Sequence, residues 1–458
     1  MHLYPIQNKQ QNKLKLRAIA IAAFLSRFIL SIRLGGNNIK KGILLLCLML
    51  IACENNIPFL PTNLSQPLIS TTSNKSVCSA KIGIILNKTL PQAELIQASF
   101  FLAQSKFNTL PENKNCPILL NLKDAPDSQA EVLSAFHEII ADGNVPIVIA
   151  FTRDEYIQVL ANEAEKQQVL LLIANSTSMI YSQTDFQWVF RLPASSEQML
   201  VQLFEWLKLA DTAYSPPTMV SISALNNHGK SLQGQFLILA ARYGCSVIGN
   251  FNHQEDSNST ALSSALRVLK PDVIFIFGLN KAEFQNTLRQ IASAHITPKA
   301  ILFIPEIQEN PFELFDSSFD VEGIIVATQW APQIAWHDKN NLTAQDIFQD
   351  LSQQLSTPIS PNDKILQAYT SVEIAANILE KEMQRSPTYI QKRLQAAFQS
   401  YNTQTSLWGP ISFRSDGQNK HDVILIQRQA RQWEIIYPIQ YRTAAPRFPL
   451  PVLSPPKQ

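Results

Sequence analysis

A repeated alternation constrains this chain more than any other feature. A short apolar run bounded by turn residues is followed by about a dozen residues whose apolar side chains recur at helical spacing. Residues 81–86 (Lys-Ile-Gly-Ile-Ile-Leu) are the first such run, and 93–104 the amphipathic stretch after it. The next cycles are 117–122 with 128–140, then 146–150 with 156–166, then a run at 169–173. A second series opens at 218–223, with a helix over 232–243, a run at 246–251, a helix over 260–269 and a run at 273–277. Continuously apolar strands are buried on both faces, and the helices between them supply the crossovers that parallel strands need. The pattern predicts an α/β protein with two doubly wound parallel-sheet lobes. With 46% apolar residues in 458, the chain can bury two cores.

The amino end carries an address. Lys40 and Lys41 precede an apolar segment, 43–51, that ends in Leu50-Ile51-Ala52-Cys53. Basic, then apolar, then small, then cysteine is the order of a secretory signal with a lipobox, and the run is too short to span a bilayer. The expectation is cleavage before Cys53 and acylation of it, two lipid attachments being enough for stable anchoring where one chain is marginal. Residues 1–52 are read as a signal and upstream segment, with translation starting nearer Asn37. They hold eight Lys or Arg and no acid, so 30 basic residues face 36 acidic ones in the remainder, about minus six. A nucleic-acid binder would need a basic face instead, and none is present. Residues 53–77, rich in Pro, Ser, Thr and Asn, read as a flexible tether, and the Pro-rich 444–458 as a tail.

Several segments fall where the alternation puts a strand end or a turn. They are Asp124-Ala125-Pro126-Asp127, Asp142-Gly143, Phe190-Arg191-Leu192-Pro193, Val321-Glu322-Gly323, Gly409-Pro410-Ile411-Ser412-Phe413 and Asp416-Gly417, with Trp433 on the strand that follows. In order and spacing they resemble the type I periplasmic binding proteins, whose best-known members bind leucine, isoleucine and valine for ABC transporters. The resemblance implies two lobes joined by a three-stranded hinge, crossed near Pro193, Thr328 and Thr405. Lobe 1 would comprise 78–193 and 329–404, including a helix over 365–380, and lobe 2 would comprise 194–328 and 405–443. It further implies a solute bound between the lobes at the carboxyl ends of the strands.

Candidate contacts follow from that placement. After Ile149 comes Ala150-Phe151-Thr152-Arg153-Asp154, and after Ile173 comes Ala174-Asn175-Ser176-Thr177-Ser178. By resemblance, these loops hold the α-carboxylate and amine of an amino acid. Thr152, Ser176 and Thr177 can donate or accept, and the same residue types also serve as plain helix N-caps. Arg153, where relatives carry a small residue, could clamp a carboxylate or lie solvated on the surface. On the opposite wall Asn227 and His228 follow the first strand of lobe 2, with histidine where relatives have tyrosine. It could stack or titrate near neutrality, or be a loop histidine without a partner. Asn280, after Gly278-Leu279, is the remaining lobe 2 candidate. Glu283 lies a helical turn away from the position where amino-acid binders often place a carboxylate. Only 13 glycines occur in the whole chain, which puts close backbone approach to a ligand in question.

Cys78 and Cys116 each precede one of the first two strands, which are neighbours in a doubly wound sheet, and an exported protein matures where disulfides persist. A Cys78–Cys116 bridge is expected, with Cys245 packed as a small apolar residue. No CxxC or neighbouring histidine suggests a metal, and no cofactor is implied. Gly229-Lys230-Ser231 mimics the end of a P-loop, but Ala224 stands where its leading glycine belongs. With no Gly-x-Ser-x-Gly and no His-Glu-x-x-His, an enzyme is not expected. The expected function is a lipid-anchored solute-binding protein of the cell envelope, facing the periplasm or exterior, that passes an amino acid or similar small polar solute to an ABC permease. The alternative is a degenerate flytrap acting as scaffold or regulator of another envelope protein, as in activators of penicillin-binding proteins.

Overall fold

The computed structural model describes residues 79–450, apart from 115, 126, 178–185, 211–215, 254–259, 316–320 and 386–389. The lipobox with Cys53, the proposed tether, Cys78, Pro126, Ser178 and residues 451–458 lie outside the described residues.

The first sheet contains β1 (Ala80–Leu86), β2 (Ile118–Asp124), β3 (Ile147–Phe151), β4 (Leu170–Ile173) and β5 (Val189–Arg191), in the order β2-β1-β3-β4-β5. All pairs are parallel. Successive strand residues feed two apolar layers. Ile82, Ile84, Ile147, Ile149, Leu170 and Leu172 face one side, and Ile85, Val148, Ala150, Leu171 and Ile173 the other. This period of two on strands apolar throughout is the signature of a doubly covered sheet. Helices α1 (Ala93–Thr109), α2 (Gln129–Ala141) and α3 (Asp154–Gln167) fill the crossovers, α1 on the first side and α2 and α3 on the second.

The second sheet contains β6 (Thr218–Ser223), β7 (Ser246–Asn252), β8 (Val273–Phe277), β9 (Ala300–Ile304) and β10 (Ile325–Thr328). After short β11 (Asn402–Thr403) and β12 (Ile411–Ser412), the chain adds β13 (Ile424–Gln429) and β14 (Gln432–Tyr437). The order is β14-β13-β10-β9-β8-β6-β7, with five parallel strands and an antiparallel hairpin at one end. Trp433 sits on β14, one strand later than the sequence suggested, because β13 comes first. Helices α4 (Ser196–Ala210) and α5 (Asn227–Arg242) cover one face, and α6 (Ala261–Leu269) and α7 (Lys281–Ser293) the other.

Three later helices, α8 (Ala344–Leu355), α9 (Asp363–Arg385) and α10 (Gln391–Gln399), return to the first sheet and complete its outer layer. The Ser99 hydroxyl on α1 donates to the Ile365 carbonyl at 2.7 Å, which pins the start of α9. The chain therefore crosses between lobes three times, after β5, after β10 and after β11. The first and third crossings are sewn together. Arg191, 1% exposed, donates from Nε to Gln418 Oε1 at 2.6 Å. Gln418 Nε2 donates to the Pro193 carbonyl and Asn419 Nδ2 to that of Leu192, at 2.8 and 2.9 Å. Gly417 accepts from the Arg191 amide with φ of +77°, and a Cβ there would lie 2.1 Å from the Val189 carbonyl oxygen, so only glycine fits.

Cys116 is disulfide-bonded, and its sulfur lies 3.6 Å from that of Met383 on α9. Cys245 is a free, partly buried thiol that packs against the apolar layer under α4 and α5. Among the described residues no helix is long and apolar enough to cross a membrane, and no group of side chains is arranged to hold a metal ion.

Candidate functional site

In both sheets the strand order turns at the first parallel strand, β1 beside β3 and β6 beside β8. That is the point where open α/β sheets leave a crevice at their carboxyl ends. Here the crevices of the two lobes face each other. Between them lies a partly open cavity of about 30 Å³, lined from lobe 1 by Thr177, Asp363 and Lys364. Lobe 2 supplies His228, Pro305, Glu306 and Glu309, and the β10 crossing supplies Thr328 and Gln329. The volume suits one or two water-sized groups.

On the lobe 1 side two strand ends and a helix start come together, and of their residues Thr177, Asp363 and Lys364 line the cavity, whereas Thr152, Asp154, Ser176 and Gln367 do not. Beyond β3, Thr152 is 1% exposed and its hydroxyl has no hydrogen-bond partner, while its backbone is clamped by Asn175, whose side chain both donates to and accepts from it. Asp154 opens α3. Its Oδ1 is enclosed without a partner, and burial pushes the carboxyl up to about 6 although the Ser176 hydroxyl bonds to it and Arg191 and Lys364 lie near. Ser176 is thus engaged by the protein's own carboxylate, and Thr177 by Ser196, whose hydroxyl lies 3.1 Å from the Thr177 hydroxyl. Asp363, the first residue of α9, pairs through Oδ2 with Lys364 at 3.4 Å, and its Oδ1 has no partner. One turn on, Gln367 is fully buried with neither amide atom partnered.

Arg153 points elsewhere. It donates to Asp127 Oδ1 at 2.9 Å and to the Thr89 hydroxyl at 3.1 Å, a half-exposed pair on the far side of the loop. Bonds from Asn87, Thr89 and Arg153 hold the Asp127 carboxyl below its usual range. Phe151 is buried in the lobe 1 core, edge-on to Phe100 at 6.0 Å, so neither large side chain enters the cavity.

On lobe 2 the sequence places Asn227 and His228 in a loop before a helix starting at 232, whereas α5 begins at Asn227. The reason is a cap. Asn226 accepts from the Gly229 amide at 2.7 Å and recruits the next five residues into the helix. Asn227 is exposed, while His228 lines the cavity. Burial lowers the His228 imidazole to about 4, a bond to the Pro305 carbonyl opposing it, so the ring is neutral, and its Nε2 has no partner. Asn280 is occupied in a capping box with Glu283, at 2.9 and 3.0 Å, and is exposed. Close approach does occur here, but between turns. A Cβ on Gly278, whose φ is +66°, would lie 3.0 Å from the backbone of Gly229.

Sequence reasoning missed Glu306, Glu309, Asp363 and Gln367. Glu306 accepts from Asn226 Nδ2 at 2.7 Å, and burial pushes its carboxyl up to about 7, with Asp154 across the gap adding to the rise. The signal was present, since Glu306 follows β9 by two residues, the offset of Arg153 after β3. For Asp363 and Gln367 there was none, because they begin a helix that follows no strand of its own lobe.

The fold has counterparts. No curated protein matches the chain by sequence. Among solved structures, an ABC transporter substrate-binding protein from Desulfitobacterium hafniense in complex with Leu superposes with a TM-score of 0.61 at 20% identity, over 78% of this chain and 99% of that one. A putative branched-chain amino acid ABC transporter from Silicibacter pomeroyi gives 0.66 at 16% identity, over 81% and 99%. A solute-binding protein from Rhodopseudomonas palustris, in complex with 3,4-dihydroxybenzoic acid, gives 0.59 at 16%, over 78% and 95%. At these identities the likeness concerns the fold. The profile of the periplasmic binding protein family matches residues 80–432, taking in both lobes and all three crossings, and the chain belongs to that family.

Proposed function

We propose that this protein is the lipid-anchored solute-binding component of an ABC-type importer, which takes an amino acid or similar small polar solute between its lobes and presents it to a permease outside the cytoplasm. The observation that carries the reading is a cavity between the lobes lined by Asp363 of one and His228 of the other, each with a buried polar atom that has no partner. Buried polar groups without partners are costly, and a solute that bonds to both walls would favour the closed arrangement. The Leu50–Cys53 lipobox supports anchoring. For Cys116 we assign Cys78 as disulfide partner, which non-reducing against reducing peptide maps would check.

A thermal-shift screen of the mature protein against amino acids and short amides tests the reading. A ligand at about a hundred times its Kd stabilises by about 2.7 kcal/mol and raises Tm by several degrees. In parallel, Cys53→Ser is expected to release the protein from the membrane fraction.

A specific observation favours a second reading, a flytrap serving as scaffold or regulator for another envelope protein. Ser176 and Thr177 are already bonded within the protein, and the space between the walls is narrow, about 30 Å³. Silence across the whole screen, with a cooperative melt, would favour it.

A further inference from the structure

Each of the two large sheets ends in two strands with one side unpaired, β2 and β5 in the first, β14 and β7 in the second. Such an edge is a template for another strand, and proteins ordinarily cover or blunt it. Three of the four are dealt with. On β5 the Arg191 amide donates to the Gly417 carbonyl, and its carbonyl accepts from the Asn419 amide. On β14 the Ile435 carbonyl accepts from the amides of Thr443 and Ala444, and its amide donates to the Thr443 hydroxyl at 2.9 Å. On β2 the Asn108 side chain closes on Ile118, donating to its carbonyl and accepting from its amide, both at 2.9 Å, and Lys123 and Asp124 add charge further along.

The fourth edge, β7, has none of these devices. The His253 amide donates to the Ser223 carbonyl, and alternate residues of a parallel ladder bond to the same neighbour. Phe251 and Gly249 therefore face β6, while the backbones of Asn250 and Asn252 turn outward. Among the described residues none bonds to those two backbones from outside the sheet. Residues 244–253 contain no proline and no Lys, Arg, Asp or Glu. The exposed Asn250 and Asn252 side chains accept from Ser221 and Ser223 of β6 at 2.7 and 3.2 Å, a polar ladder that stops at the edge.

Helix α5 overhangs this edge. Gln233 Nε2 reaches both the Ser221 hydroxyl on β6 and the Phe251 carbonyl on β7, at 3.1 and 3.5 Å, which sets the helix over the gap between those strands. One turn on along the same side, Leu237 is 41% exposed, and Ile238 beside it 62%. A strand added by a second copy across a twofold axis would set the two α5 helices two strand spacings apart, about 10 Å, the ordinary distance between packed helices. One symmetric contact then covers both the backbone edge and Leu237. A lone extended peptide would pair with the backbone and leave the helix bare.

We propose that β7 is the dimer edge of this protein: two copies pair their β7 strands antiparallel about a twofold axis normal to the sheet, with α5 against α5 above the joint. No charged side chain on either strand opposes its own copy. The contact lies wholly in lobe 2, so lobe 1 of each copy stays free to swing on its hinge, and the pairing does not depend on which solute the cleft takes.

The test is sedimentation velocity of the mature protein without its lipid, from about 1 to 100 µM, the range in which an edge-sized contact of micromolar Kd is filled. A dimer is expected to accumulate as concentration rises, and hydrogen exchange at the Asn250 and Asn252 amides to slow with it. Asn250→Lys and Leu237→Lys, both at exposed positions, place like charges across the axis and should each weaken dimerisation at least tenfold without lowering the melt. Leu119→Lys, exposed on the β2 edge, should leave it within twofold. Should a lysine variant fail to fold, the exchange measurement decides alone. A monomer at every concentration overturns the proposal and leaves the edge to a strand from another kind of chain. A dimer that survives both substitutions, or one whose β7 amides exchange at a rate independent of concentration, overturns it too.

Discussion

Glu373, on the lobe 1 helix α9, shows what burial does to a single side chain. Its Oε2 is enclosed and has no partner. Burial pushes its carboxyl up to about 8, with Asp338 adding to the rise and Lys339 opposing it. Burial, with Glu373 close by, also raises the hydroxyls of Tyr369 and Tyr401. A carboxylate raised in the folded state gives stability that is whole below its unfolded value and is lost as pH climbs through its folded one. Relative to a neutral amide, Glu373 therefore costs on the order of 2–3 kcal/mol at pH 7. Glu373→Gln is expected to melt several degrees above the parent at pH 8 and with it at pH 4.5, and equal melts at both values would contradict the assignment. The sequence gives no hint of this, because a glutamate in an amphipathic helix ordinarily faces water. The same limit hid Asp363, whereas Thr152, Ser176, Thr177 and His228 could be singled out because each stands near a strand end. Legibility at this scale ends where a residue's neighbours come from another part of the chain. Ser176 was named as a candidate, but not the Asp154 carboxylate that engages it.

Among the elements, those read most sharply are short apolar runs between hard stops. Val273–Phe277 lies between Pro271-Asp272 and Gly278, and both ends were anticipated. Helix starts fared worse, as Asn226 shows, since a cap moves the boundary by several residues without changing the apolar spacing. The three-residue β5, too brief for a period, showed only through the Phe190-Arg191-Leu192-Pro193 segment at its end. The crossings depend on side chains that no periodicity reveals. Gln418 is fully buried and serves Arg191, the Pro193 carbonyl and that of Asn419 at once. Gln418→Ala would remove the acceptor of the Arg191 Nε–H and the donor to the Pro193 carbonyl, a loss of roughly 3 kcal/mol that urea denaturation should record. A loss under about 1 kcal/mol would mean that the crossing relaxes to water.

At the scale of the whole molecule the two lobes meet through acids. Asp154 faces Ser176, Arg191, Lys364 and Glu155, and Glu306 faces Asn226, Asp154 and Glu283. Their carboxyls, pushed up to about 6 and about 7, are largely neutral at pH 5 and ionised at pH 8. Closure without ligand is therefore favoured in acid and weakened as pH rises through both values. X-ray scattering should find a larger radius of gyration at pH 8 than at pH 5, and the Asp154→Asn, Glu306→Gln double variant should flatten the change. An unchanged radius in the parent would show that the hinge, not the acids, sets the separation. The return of α8 to α10 to the first sheet, and of the β13–β14 hairpin to the second, has a consequence for biogenesis. Each half borrows its final wall from the far end of the polymer, so almost the whole chain must leave the ribosome before either half can set, and the nascent thread stays pliable for as long as it is being made.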